Sequence, residues 1–315
     1  PNRGRLRNMV SDMLSACGFA EVMNNSLTKS SYYEESEVFP AANCVKILNP
    51  LSADLGVMRQ TLLFGLLEVV SLNVNHKAQS VKIYEFGNTY TYTPERKEEG
   101  GLAPYSEGMR LAVAISGNQS TQSWNRKAEA SDFFSLKAIA EKIVRRFGMD
   151  IYTLRSEPIS NELYSEGLSL KAGNKELLQI ATISPKARKR FDLKSEVYYL
   201  DIDFDTLLKY TRKHKVTAHE LAKFPAVKRD LALLVDTAVS YAELRQIAFQ
   251  TEKKLLKDVT LFDVYTGDKL EAGKKSYALG FVLQDESKTL DEKTIESTMN
   301  KLIDAFAKKA GATIR

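Results

Sequence analysis

The sequence of 315 residues contains only two cysteines and three histidines. The thiols of Cys17 and Cys44 cannot build a disulfide framework, and His76, His214 and His219 are too scattered to predict a zinc site. No stretch approaches the run of about 18 apolar residues that a membrane-spanning helix needs. These absences exclude a disulfide-rich secreted scaffold and an integral membrane protein, and they predict a cytoplasmic protein.

The start of the chain and its charge give two further limits. The first five residues lack an initiator Met and the charged-then-apolar pattern of a secretory signal, so we interpret the chain as a fragment or a processed product. The 45 basic and 40 acidic residues nearly balance, at a net charge of +5. Composition alone therefore gives no strong sign of polyanion binding.

The common catalytic signatures are missing as well. The sequence has no Gly-x-Gly-x-x-Gly, Gly-x-Ser-x-Gly or His-Glu-x-x-His string. Residues 267–276 resemble a phosphate-binding loop, but they have five residues between the glycines and a second Lys where Ser or Thr should stand. A hairpin loop explains them better. The basic cluster Lys186–Arg190 could meet a phosphate, although a solvated basic turn is the more common use of such a run.

Residues 1–216 mix helices and strands, and we place a domain boundary after the basic segment 209–215. Apolar side chains recur at helical spacing in 3–17, 59–75 and 132–147, the last between an Asp132 cap and Gly148. We predict strands at 21–27, 81–87, 110–116, 168–172, 177–183 and 196–203, and a flexible loop at 93–108.

Residues 217–315 predict a more regular βαββαβ order, the ferredoxin-like arrangement. The predicted strands are 227–235, 257–265, 275–284 and 313–315. Capping boxes at Ser240 and Thr289 start the two helices.

This arrangement separates the faces of the predicted sheet. We expect Tyr277, Leu279, Phe281 and Leu283 to lie under the helices, together with Phe262 and Val264. Asp263, Tyr265 and Ser276 then lie on the open face. A Tyr beside an Asp and a Ser can stack on a single-stranded base and hydrogen-bond to it. Sheet tyrosines are common, so this pattern alone also fits an ordinary surface residue.

Several strings in the sequence together resemble the β subunit of bacterial phenylalanyl-tRNA synthetases. Lys223–Ala232 and Leu261–Gly267 are similar to the ferredoxin-like anticodon-binding domain that ends that subunit. The strings that resemble its catalytic-like module are Asn49–Ser52, Val57–Leu63, Tyr84–Gly87 and Asp132–Lys137. The resemblance covers essentially the whole chain in the family's order.

The resemblance implies an α+β chain: a class II synthetase-like antiparallel sheet module with helices over residues 1–216, then an anticodon-binding domain over 217–315. It implies an α2β2 ligase in which the α subunit uses ATP and Mg²⁺ to join phenylalanine to tRNA(Phe). Asp263, Tyr265 and Ser276 match the family's anticodon contacts. The family's editing and magnesium-binding residues lie outside this chain, so we expect no cofactor and no catalytic residue in it.

The strings of the first module favour an inactive copy of the class II site. The resemblance places Thr91 where a class II enzyme carries the arginine of motif 2, after the Gly-x-x-aromatic turn at Gly87. No helix beyond residue 150 begins with the Glu-Arg pair of motif 3. A threonine cannot offset the charge of an ATP phosphate.

Two other classes of function stay open at this point: an active class II enzyme and a small-molecule-binding regulatory module. The missing arginine argues against the first. The Tyr that we expect to be exposed in the Phe-Asp-Val-Tyr string argues against the second. Residues 219–315 hold 16 basic and 15 acidic residues. The predicted RNA-binding domain is thus not strongly basic, and we expect weak tRNA binding by this chain alone.

Overall fold

A computed structural model describes residues 2–211, 220–267 and 270–315. They form two compact units, residues 1–216 and 217–315. The predicted domain boundary, most of the basic segment before it, and both His214 and His219 lie outside the described residues.

The described residues of the first unit, 2–211, form an eight-stranded sheet and five helices. Its strands are β1 (Ala20–Glu21), β2 (Leu27–Thr28), β3 (Val57–Met58), β4 (Ser80–Tyr92), β5 (Tyr105–Ser120), β6 (Glu129–Ala130), β7 (Arg155–Ile159), β8 (Tyr164–Ala172), β9 (Lys175–Ile183) and β10 (Val197–Asp203). Its helices are α1 (Arg3–Ala16), α2 (Leu63–Asn75), α3 (Phe133–Arg146), α4 (Pro185–Lys189) and α5 (Phe204–Thr211). The sheet order is β1-β4-β5-β10-β9-β8-β7, and β6 pairs with β5 at its side. Strand β1 runs parallel to its neighbour β4, and the other described pairs of this sheet are antiparallel. Strands β2 and β3 form a separate two-stranded ribbon.

Both faces of this sheet are covered by apolar layers. Side chains alternate along β5, so Leu111 and Val113 face one layer while Ala112 and Ala114 face the other. Helices α1, α3 and α5 contribute to the first layer, and α2 contributes to the second. The sheet is therefore the middle layer of three, with helices on both of its faces.

The end signals of α3 are confirmed. The Asp132 carboxylate accepts a hydrogen bond from the Ser135 backbone N–H at 2.7 Å, and the Asp132 backbone N–H donates to the Ser135 hydroxyl oxygen at 3.3 Å. The turn after the helix contains Gly148 at a φ of 78°, a conformation that glycine adopts without strain.

The strand after α2 is longer than predicted. Gly87 does not lead into a loop, because β4 continues to Tyr92 and pairs with β5 along its whole length. The predicted loop at 93–108 is accordingly shorter, since β5 begins at Tyr105. A Cβ built on Gly87 would lie 2.2 Å from an Arg59 guanidinium nitrogen. Glycine stands there because a buried side chain needs the space, and the backbone does not turn.

The second unit has the predicted ferredoxin-like order. It contains β11 (Val227–Asp236), α6 (Tyr241–Thr251), β12 (Leu256–Tyr265), β13 (Lys274–Leu283), α7 (Glu292–Ala310) and β14 (Thr313–Ile314). The antiparallel sheet runs β12-β13-β11-β14. Both helices pack on one face, over a core that includes Leu279, Phe281 and Phe306.

One predicted helix start in this unit is wrong. The Ser240 hydroxyl accepts from Glu243 as expected, but α7 begins after Asp291 and not at Thr289. The Asp291 carboxylate accepts from the Thr294 N–H at 2.7 Å. Thr289 and Asp291 are both residue types that can cap a helix. Asp291, four residues before the buried Ile295, is the one that does so. Among the helices described in either unit, none is long and apolar enough to cross a membrane.

Candidate nucleic-acid interface

The open face of the second sheet carries two of the predicted site residues side by side with small residues. The register places Asp263 opposite Ala278 and Tyr265 opposite Ser276. On the other side of β13, Ala232 pairs with Ala278. Asp263 is exposed, and no described residue of this unit forms an ion pair with its carboxylate. The surface is therefore flat and offers an acceptor next to an aromatic ring.

A β-bulge in β12 changes which side chains reach this face. Leu261 pairs with Leu279 and the next paired residue is Asp263, so Phe262 is the extra residue. Phe262 lies beside Gly280 on the open face, where it is 60% exposed. The prediction that it packs under the helices is wrong, because strict alternation fails at a bulge. Val264 does face the helix side, opposite Tyr277, but 46% of it is exposed at the sheet edge.

The Tyr265 ring is held by two neighbours. The Arg315 guanidinium carbon lies 4.8 Å from the ring centroid, a cation–π contact that reaches across the sheet from the end of β14. A Cβ built on Gly267 would lie 2.5 Å from the Tyr265 hydroxyl oxygen, so only glycine leaves room for the ring in this position. Sequence reasoning missed Arg315, since nothing local links it to a residue fifty positions earlier.

Ser276 lies on the predicted face but is only 5% exposed. The register places it between Tyr265 on β12 and Leu234 on β11, both larger side chains on the same face. A direct contact with a ligand would require these flanking side chains to move.

The first unit holds a buried ion pair between Arg59 and Glu85. Arg59 Nη1 lies 2.7 Å from Glu85 Oε1, with side-chain exposures of 8% and 1%. The same guanidinium donates to the carbonyls of Asn88 and Asn24, and the Asn24 amide donates to Glu85. Both charged groups thus have several hydrogen-bond partners inside the protein besides each other, which is the condition for a stable buried pair.

A second arginine of the first unit, Arg110 on β5, is also paired with a carboxylate. Arg110 donates through Nε and Nη2 to both carboxylate oxygens of Asp201, at 3.0 and 2.8 Å. Burial by itself would lower the pKa of Arg110, but the charge of Asp201 raises it above the ordinary value. The arginine stays charged and its charge is already compensated, so it does not fit a role as a grip for an ATP phosphate.

Thr91 lies inside β4, paired with Ser106 of β5, and not in a turn. The basic cluster at α4 is partly used in packing, since Arg190 donates to the carbonyl of Ser31 and Arg188 to that of Lys194. Across residues 2–211, 220–267 and 270–315 no group of three or more His, Cys, Asp or Glu side chains is arranged to hold a metal ion.

Comparison with solved structures defines the class of fold. The pyrrolysyl-tRNA synthetase of Desulfitobacterium hafniense aligns with 70% of this chain and 75% of its own, at a TM-score of 0.51 and 15% identity. At this identity the likeness shows the fold alone, and the fold is that of a class II synthetase.

Sequence comparison then defines the family. Residues 1–204 match the model of the phenylalanyl-tRNA synthetase beta chain CLM domain, and residues 222–315 match that of the ferredoxin-fold anticodon binding domain. The phenylalanine–tRNA ligase beta subunit of Bacteroides fragilis is 48% identical over 99% of this chain, and that of Bacteroides thetaiotaomicron is 45% identical. The chain belongs to the phenylalanyl-tRNA synthetase β-chain family, and it spans 38% of the length of these relatives.

Proposed function

We propose that this chain is a non-catalytic part of the β chain of an α2β2 phenylalanine–tRNA ligase and that its second unit binds the anticodon of tRNA(Phe). The observation that carries the proposal is the exposed Asp263 carboxylate next to the Tyr265 ring on the open face of an anticodon-binding fold. Tyr265 itself is partly exposed, and a flat sheet with a reachable ring and a nearby acceptor suits an unpaired base.

Each site residue has a distinct role in this proposal. Tyr265 stacks on an anticodon base, which requires Arg315 either to move aside or to cover the base from its other face. Asp263 accepts hydrogen bonds from a base edge that presents two donors, most simply the N1 and N2 groups of guanine. Ser276 contacts the anticodon stem-loop only once the flanking Tyr265 has turned, because it is buried in the free chain.

The first unit pairs with the α subunit through helix α1. Val10 and Leu14 are fully buried against the unit's own sheet, whereas Met9 and Met13 are only partly buried. Met9 and Met13 line an open groove of about 830 Å³, together with Arg146. The helix thus has one face buried in its own core. Met9 and Met13 pack at the rim of that core and keep part of their apolar surface exposed, which is the surface that would meet another chain.

In this assembly the α subunit supplies the chemistry with ATP and Mg²⁺, in the cytoplasm. Arg59 and Arg110 of the first unit do not bind an ATP phosphate, since both are paired with carboxylates. It therefore acts as a structural partner.

The proposal is tested by measuring the affinity of the chain for a tRNA(Phe) transcript by fluorescence anisotropy. Stacking on an aromatic side chain contributes about 1–3 kcal/mol per base, so Tyr265→Ala should weaken binding roughly five- to hundred-fold. Trp124→Ala is the matched control, because Trp124 is a 96% exposed aromatic residue of the first unit. Equal binding by wild type and Tyr265→Ala, with both variants folded, would show that the tyrosine is an ordinary surface residue.

A further inference from the structure

The bulge in β12 leaves a large aromatic side chain exposed. Phe262 lies outside the apolar core of the second unit and is 60% exposed. Burying a phenylalanine side chain stabilises a protein by about 1.5–3 kcal/mol, so the fold gives up this contribution at position 262. A bulge that turns one more residue to the surface is typically a feature that redirects a side chain for a purpose.

We propose that Phe262 is a second stacking platform, which takes an unpaired base next to the one on Tyr265. The inference rests on the proposed function, since it assigns a further contact to the same RNA-binding face. Phe262 and Tyr265 are three residues apart on a strand that rises about 3.3 Å per residue, so their rings are too far apart to share one base. The face would therefore bind at least two bases, each on its own ring.

The surroundings of Phe262 leave its ring accessible from above the sheet. As the extra residue of the bulge, Phe262 has no paired residue on β13, and its ring lies beside Gly280, which pairs with Thr260. A Cβ on Gly280 would lie 2.9 Å from Thr260 Oγ1 and 3.8 Å from Phe262 Cδ1. Ala278 is the next residue of β13 on this face. Gly280 and Ala278 have little or no side chain that rises above the sheet beside Phe262. A planar base can therefore lie flat against the phenyl ring.

The charges on this face favour a base as the occupant. The register places four carboxylates on the open face, those of Asp230, Asp236, Asp258 and Asp263. The cations on this face are Lys228, Lys274 and Arg315, the last over the Tyr265 ring. Such a face attracts neither a phosphate backbone nor an anionic lipid surface by charge alone. Stacking on π-faces, which every base can provide, is left as the main source of binding energy.

Affinity measurements with four variants test the proposal, with the tRNA(Phe) transcript as the probe. Phe262→Ala and Phe262→Leu should each weaken binding roughly five- to hundred-fold, because Leu keeps apolar volume but has no π-face. Phe262→Trp should bind within about twofold of wild type, since it keeps the stacking surface. Val264→Ala is the control on the same strand, because its side chain faces the helix side and should leave the affinity unchanged.

A fluorescence experiment gives a second readout. Trp124 is the single tryptophan of the chain, so Phe262→Trp combined with Trp124→Phe places the only indole at position 262. Stacking of a base on this indole should quench its emission when the transcript is added. The same addition should leave the emission of Trp124 in the wild-type chain unchanged.

Two results would overturn the inference but leave the proposed function intact. The first is Phe262→Ala binding the transcript like wild type while Tyr265→Ala binds weakly. The second is an unquenched indole at position 262 in a protein that still binds the transcript. Binding by Phe262→Leu at the wild-type level would also overturn it, because the ring would then be an ordinary apolar contact. If Tyr265→Ala and Phe262→Ala both bind like wild type, the proposed function fails and the inference fails with it.

Discussion

At the scale of single residues, Arg59 and Glu85 form the most deeply buried ion pair among the described residues of the first unit. Glu85 is 1% exposed and sits 2.7 Å from the guanidinium. Removal of one partner of a buried pair leaves an uncompensated charge, so Glu85→Ala should lower the free energy of unfolding by about 3–5 kcal/mol. Urea unfolding of the chain, followed by circular dichroism, measures this loss.

The matched control is the exposed pair of Arg96 and Glu99. Its two side chains are about half exposed, so Glu99→Ala should leave the urea midpoint unchanged. A double variant, Arg59→Met with Glu85→Leu, should recover most of the stability lost in Glu85→Ala, since no charge is then stranded. If Glu85→Ala unfolds at the wild-type urea concentration, the buried pair does not stabilise the unit.

The sequence predicted part of the candidate site at this scale. Alternation along β12 and β13 placed Asp263 and Tyr265 on the open face, because one apolar face of each strand must be buried. It could not place Phe262, since a bulge depends on the register between two strands. It also could not predict the burial of Ser276, which follows from the sizes of its neighbours on both adjacent strands.

At the scale of elements, the start of α7 gives a test of capping. Hydrogen bonds from Thr294, first of all from its backbone N–H, lower the pKa of Asp291. The folded state therefore binds the Asp291 proton less tightly than the unfolded chain does. The cap stabilises the protein above the unfolded pKa of about 3.9, and this contribution is lost as the pH falls through the lower folded pKa.

Asp291→Ala should consequently lower the Tm at pH 7, and the Tm difference from wild type should shrink as the pH falls below about 4. Thr289→Ala is the control two residues upstream, and its Tm should match that of wild type at every pH. Thermal unfolding followed at 222 nm by circular dichroism measures both variants. A larger Tm loss in Thr289→Ala would return the helix start to the position that the sequence suggested.

The elements as a whole were well predicted wherever periodicity was long. The helices that became α1 and α3 and the βαββαβ order of the second unit follow from apolar spacing that only one secondary structure satisfies. The prediction failed at Gly87, where glycine serves the packing of Arg59, a contact 28 residues away in sequence. A prediction from neighbouring residues interprets a glycine as a turn. It cannot detect a side chain from a distant part of the chain that packs against that glycine.

At the scale of the whole molecule, the near balance of charge predicts a weak salt dependence of RNA binding. Of the cations on the open face, Lys274 is paired with Asp236, which leaves Lys228 and Arg315 for phosphates. Two phosphate contacts on single-stranded RNA give a slope of log K against log salt of about −1.4. Anisotropy titrations between low and moderate salt measure this slope for the tRNA(Phe) transcript. A slope steeper than about −3 would instead assign the binding to basic groups elsewhere on the chain.

The chain alone should also support no phenylalanine-dependent exchange of pyrophosphate into ATP. Arg59 and Arg110 are bound to carboxylates, and Thr91 has no charge to hold a phosphate. The exchange assay, with protein free of host synthetase, should stay at the background of a no-enzyme blank. Exchange above that background would mean that the first unit retains a working class II site.

The central claim is that Asp263 and Tyr265 recognise the anticodon, and the kinetics of the assembled α2β2 ligase test it most directly. The measurement is kcat/KM for tRNA(Phe) with its native anticodon and with its first anticodon base replaced, for wild type and Asp263→Asn. A carboxylate that faces the wrong base is left desolvated and unpaired, so wild type should discriminate between the two tRNAs. Asp263→Asn should reduce that ratio by roughly tenfold. An unchanged ratio in a folded Asp263→Asn ligase would contradict the assignment of this face to the anticodon.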